Sequence, residues 1–174
     1  MESQSETTQQ LHQVLISEAA AYRQLIKLTE QERAALQAHR LSDLATTVKA
    51  KEVLTTQVAE WEEQRTRLTH TLAESLQLPE TATLAELIAR LDGAMASKLG
   101  VLREEFVGLM EQLLALTHGN RLLLEAGMSR VEATFGGPPG WPLHCQGAEP
   151  YPAAGHGWQY VELESLIILD FGWR

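Results

Sequence analysis

"LGVLREEFVGLMEQLLALTHGNRLLLEAG", residues 99–127, sets apolar or small residues three or four apart along its whole length. Leu99, Leu102, Phe106, Leu109, Leu113, Leu116, Asn120, Leu123 and Gly127 fall on one stripe. A heptad seam sustained over four repeats belongs to a long helix lying along other long helices at about 20°. That reading sets the fold class: all-α, an elongated antiparallel bundle of long helices with coiled-coil-like packing. Asn120 and Gly127 weaken the seam. A polar seam residue specifies register and oligomeric state at a cost in stability. Asn120 is therefore either a pin bonded to a neighbouring helix, or part of a surface that the bundle leaves uncovered. Leu122, Leu123 and Leu124 are consecutive and cannot all face one partner helix, and Ala126, Gly127 and Ala133 add low relief. Another helix must cover this end, or it is a binding groove.

Working outward, helical periodicity spans about residues 8 to 135, interrupted at "AHRLSDL", "LQLPETATL" and "LDGAMAS". The first follows a helix ending near Ala38 or His39 and offers Ser42 as an N-cap. In the second, Pro79 belongs between helices, because inside one it costs about 3 kcal/mol relative to alanine. Thr83 and Glu86 there have capping-box spacing. In the third, Gly93 suits the position just after a helix, and Ser97 restarts the next. The expected elements are two long helices of roughly thirty residues, a short one near 84–91 and a long fourth near 95–134. Connections this short make sequential helices antiparallel, giving an up-down-up bundle about 45 Å long.

The other helices carry seams of their own. Helix two presents Leu41, Leu44, Val48, Leu54, Val58, Trp61, Leu68 and Leu72, with Lys51 and Arg65 in the two remaining seam positions. Helix one presents Leu11, Leu15, Tyr22, Leu25 and Leu36, with Glu18 and Glu32 in the stripe. Opposite charges on facing seams suggest that a glutamate pairs with Lys51 or Arg65 across the hairpin. The alternative is that these long side chains snorkel to the bundle edge and meet water.

After the fourth helix the composition changes. The last forty positions hold seven of the ten aromatic residues, five of the six prolines and seven of the twelve glycines, so residues 136–174 form a separate, irregular tail. Near its end "ESLIILDFGW" is too apolar to stay solvated. It is expected to fold back on the bundle or onto a neighbouring molecule, as strand or helix.

The totals narrow the function. A net charge of −9 argues against nucleic acid or an anionic membrane as partner. No window approaches the ~18 apolar residues of a membrane span, the first ten residues do not read as a signal peptide, and one cysteine forms no internal disulfide. A cytoplasmic protein is expected. His144, Cys145 and His156 lack the paired spacing of a zinc site. Cys145 has no partner motif for nucleophilic catalysis, and "FGGPPG" follows a helix instead of opening one, which excludes a phosphate loop. Neither metal, cofactor nor enzymatic activity is expected.

"LSDLATTVKAKEVLTTQVAEWEEQR" (41–65) followed by "LLALTHGNRLLLEAGMSRVEATF" (113–135) resembles the FlgN family of bacterial chaperones for flagellar hook-associated proteins. The resemblance rests on Lys51, Glu52 and Leu54, on Arg65, on Asn120, Leu122 and Leu123, and on the tail segment "YPAAGHGWQ". It implies a cytoplasmic protein that holds the C-terminal helical segment of a hook–filament junction protein and presents it to the type III export gate. Leu116, Asn120, Leu123, Leu124, Gly127 and Val131 would lie at the client groove, and Tyr151 would contact the gate. "VELESLIILDFGWR" has no counterpart in this pattern. The competing expectation is a coiled-coil scaffold or tether that self-associates and has no client.

Overall fold

The computed structural model describes residues 2–135, with side chains from residue 4 to residue 130. Four helices follow in order: α1 (Glu2–Gln37), α2 (Leu41–Ser75), α3 (Leu84–Arg90) and α4 (Gly93–Phe135). Among the described residues there is no strand. The architecture is the expected all-α bundle.

Cross-helix contacts give the directions. Glu18 meets Arg65, Tyr22 meets Glu62 and Glu32 meets Lys51, so α2 runs antiparallel to α1. Tyr22 meets Phe106 and Arg33 meets Asn120, so α4 runs parallel to α1. The path is up, down, up, with α3 linking the ends of α2 and α4. α1 is the shared support: it packs along both α2 and α4, while those two do not pack closely on each other.

The core follows the seams. Leu11, Leu15, Tyr22 and Leu25 of α1 are buried with Leu54, Val58 and Leu72 of α2, Leu84 and Leu87 of α3, and Leu99, Phe106 and Leu113 of α4. Tyr22 and Phe106 meet edge to face, their centroids 4.7 Å apart. That geometry sets the positive edge of one ring against the negative face of the other. The Tyr22 hydroxyl donates to Glu62 Oε1 at 2.9 Å. Burial raises the Glu62 pKa above the ordinary glutamate value, partly offset by the Tyr22 hydrogen bond and the Arg65 charge.

The helix ends agree with the sequence at the start of α3 and depart from it at the starts of α1, α2 and α4, where Ser97 lies inside the helix that it was expected to open. Thr83 and Glu86 form the capping box, with the Glu86 amide 3.3 Å from Thr83 Oγ1 and the Thr83 amide 2.7 Å from Glu86 Oε2. Ser42 is not the N-cap of α2. That position is Arg40, which makes no side-chain cap, and the Ser42 hydroxyl turns to Asp43. Gly93 does not close α3. It opens α4 at φ +77°, so its freedom from a Cβ serves an entry turn. α1 begins at Glu2, ahead of the expected start near residue 8, because an established helix extends through polar residues at little cost.

α1 and α2 both stop in Schellman motifs without glycine. At the first, the Arg40 amide donates to the Ala35 carbonyl at 3.0 Å and the His39 amide to Leu36 at 3.2 Å. At the second, Leu78 donates to Ala73 at 2.9 Å and Gln77 to Glu74 at 3.1 Å. His39 and Gln77 take the left-handed positions, at φ 54° and 56°.

Candidate functional site: the projecting end of α4

The seam of α4 runs from fully covered to open, and Asn120 marks the change. Its side chain is wholly buried. Asn120 Nδ2 donates to the Thr29 carbonyl at 2.8 Å and to Glu32 Oε2 at 2.9 Å. Its Oδ1 accepts from Arg33 Nε at 3.0 Å. Lys51 Nζ from α2 reaches the same Glu32 oxygen at 2.9 Å. One carboxylate oxygen thus ties all three long helices together at one level. A second buried pair, Arg65 Nε with the Glu18 carboxylate at 3.2 Å, lies nearer the N-terminus of α1. The charges on the facing seams pair with each other, and the long side chains do not snorkel to water.

Arg33, Thr29 and Gly119 belong to this junction and are absent from the sequence reading. Arg33 flanks the α1 stripe instead of lying in it, so periodicity gives no signal for it. Thr29 contributes a backbone carbonyl, which has no sequence signature. Gly119 leaves room for Arg33 to cross α4: a Cβ there would collide with the Arg33 guanidinium. The Gly119–Asn120 pair was the available clue.

Beyond Asn120 the cover runs out. The register set by Tyr22–Phe106 and Arg33–Asn120 takes α1 only about one turn past Asn120 before it ends at Gln37. α4 continues to Phe135. About ten residues therefore project past the α1–α2 hairpin, or about 15 Å of helix. Along the seam, Leu113 is 1% exposed, Asn120 is wholly buried and Leu123 is 38% exposed; off the seam, Leu122 and Met128 are exposed, as Val101 and Leu114 are earlier in the helix. Leu116 is half-buried against the core. Leu124 and Gly127 are intermediate, and a Cβ added at Gly127 would meet open space. The Val131 side chain, Tyr151, the tail element and the His144, Cys145 and His156 set lie outside the described residues.

The remaining surface is plainer. A cleft of about 490 Å³ opens between α1 and α2, lined by residues that include Val14, Trp61, Arg67 and Leu68, with no carboxylate, histidine or cysteine in its wall. Among the described residues, no three His, Cys, Asp or Glu side chains are placed to hold a metal, and no helix is long and apolar enough to cross a membrane. What this arrangement offers a ligand is an apolar helical rod, fixed at its base by a polar junction and open along its last turns.

A sequence model of the FlgN family, described as FlgN protein, matches residues 1–135. No curated protein and no solved structure gives a significant match.

Proposed function

Because the chain belongs to the FlgN family, we propose that it is a flagellar export chaperone whose client lies along the projecting end of α4. The observation that carries this reading is the exposure of Leu122, Leu123 and Met128 beside and beyond the last turn of α1. The client is the amphipathic C-terminal helix of a hook-associated protein, which would otherwise aggregate or assemble early. The chaperone holds it in the cytoplasm and delivers it to the type III export gate, with Tyr151 as the gate contact. This is a binding role, without catalysis or cofactor.

The groove residues divide by position. Leu123, Leu124, Gly127 and Val131 meet the client directly, and Leu116 forms the inner margin. Asn120 has its amide engaged by Thr29, Glu32 and Arg33. Its part is to hold α4 in register at the base of the groove. An apolar helix docks through anchors at i, i+3, i+4 and i+7, and the small relief at Ala126 and Gly127 lets it approach closely. A site about ten residues long limits the buried area, and the client's ordering cost lowers affinity further, which keeps the complex releasable.

Titration with labelled peptides from the C-terminal helices of hook-associated proteins tests the proposal. It should give a saturable complex of roughly micromolar affinity or better. Replacing Leu123 and Leu124 by Asp should weaken binding by about a hundredfold or more, because each buried leucine contributes about 1.5–3 kcal/mol, with helix content by circular dichroism unchanged. Loss of helix content together with binding would make the two leucines ordinary core. No binding to the native protein, alongside a stable oligomer covering α4, would instead establish a scaffold.

A further inference from the structure

α4 is apolar around much of its circumference. Leu113 and Phe106 face the core, while Val101, Leu114, Leu122, Leu123 and Met128 face solvent. A helix that is apolar on most sides is ordinarily buried on most sides, and a contiguous exposed apolar patch on a monomer marks a surface awaiting a partner. α1 ends about one turn past Asn120, and among the described residues no other element runs along α4 beyond that point.

The chain itself carries a second stretch with the same deficit. "VELESLIILDFGW", residues 161–173, contains Leu166, Ile167, Ile168 and Leu169 in succession, followed by Phe171 and Trp173, and no proline. It lies outside the span matched by the FlgN family, which ends at 135. We infer that this segment, Val161–Trp173, covers the projecting end of α4 in the free protein and is displaced when the client binds. The displacement, but not the covering, rests on the client reading above.

Geometry and mass action favour this occupant over a second copy. The tail leaves α4 at Phe135, only ~20 Å along the helix from Leu122. The residues between Phe135 and Val161 span up to ~80 Å when extended, at about 3.3 Å each, so the tether reaches every part of the patch. A tether of about this length holds a segment at an effective concentration of order millimolar. A second copy of the chain at micromolar concentration competes poorly with that. The tethered cover hides the patch from aggregation and sets a threshold that a client helix must exceed.

The test uses the full-length protein and its Ile167→Asp/Ile168→Asp variant. Amide hydrogen exchange over residues 122–130 should be slow in the native protein and about tenfold faster in the variant, with residues 99–120 unchanged. Equal exchange in the two proteins overturns the inference, and so does protection that grows with protein concentration, which would identify a second copy as the cover. An independent measurement places cysteines at Leu122 and Ile168 with Cys145→Ser. Oxidation should give a disulfide within one chain, and failure to form it overturns the inference even if the aspartate variant misfolds. Client-peptide affinity should rise about tenfold in the aspartate variant. An exchange difference with no peptide binding to either protein would sink the chaperone reading while upholding the cover.

Discussion

The two halves of α4 are built from nearly the same residues and meet opposite fates. From Leu99 to Asn120 the stripe is buried or half-buried. Past Asn120, Leu122 and Leu123 are exposed and Leu124 is only half-buried. Residue type does not separate the two; the length of α1 does. α1 stops at Gln37, one turn past the Asn120 junction, and α4 runs on. A protein can thus make a docking surface by letting one helix outrun its partner, with no special side chains at the site. The buried asparagine then has a definite task. Where the partner ends, a leucine seam would tolerate sliding by a heptad, and the hydrogen bonds of Asn120 to Thr29, Glu32 and Arg33 penalise every register but one.

The largest test attacks the boundary itself. Lys51→Met leaves the Glu32 carboxylate buried without its cation and should cost about 3–5 kcal/mol by denaturant unfolding. Adding Glu32→Met should recover part of that loss, since it removes the buried charge but also takes the Glu32 acceptor from the Asn120 amide. No recovery would mean that the lysine contributes mainly by packing. Next comes a matched pair of truncations along α4. Leu113→Ala should cost about 2–5 kcal/mol, whereas Leu122→Ala, made in the Ile167→Asp/Ile168→Asp protein so that the tail does not lie on it, should cost less than about 0.5 kcal/mol, as surface changes do. Similar costs at both positions would erase the contrast between covered and open halves.

The smallest effect concerns Glu62, in the covered region. Its folded-state pKa lies above its unfolded value because of burial. Its protonated form therefore favours folding below the ordinary glutamate range, and that contribution is lost as pH rises through the folded pKa. Glu62→Gln keeps an acceptor for the Tyr22 hydroxyl and removes the titration. Melting temperatures of variant and native protein should be close near pH 4 and diverge toward pH 7, with the variant higher. A constant difference across that range would show that Glu62 ionises as freely folded as unfolded.

Much of this was legible in the amino-acid order. Seam spacing gave the helices, the short connections gave their directions, and the Thr83–Glu86 capping box and Pro79 between helices were read directly. Glu18, Glu32, Lys51 and Arg65 pointed to cross-hairpin pairing, with snorkelling as the rival outcome that the burial of all four removes. What escaped had physical reasons. The stops at His39 and Gln77 use left-handed residues that lack the glycine signal. Arg33 reaches Asn120 from beside the seam, where periodicity carries no information. The open stretch of α4 depends on a difference in length between two helices far apart in sequence, which composition near the site does not report. Leu122, Leu123 and Leu124 did announce that no single partner could cover them all.

The central position of α1 has a consequence for how the molecule comes apart. α2 and α4 each rest on α1 and not closely on one another, so once the middle helix frays, each keeps only the short contact with α3. Thermal melting should therefore proceed as one event, and the slowest-exchanging amides should lie in the middle of α1, around Tyr22 and Leu25.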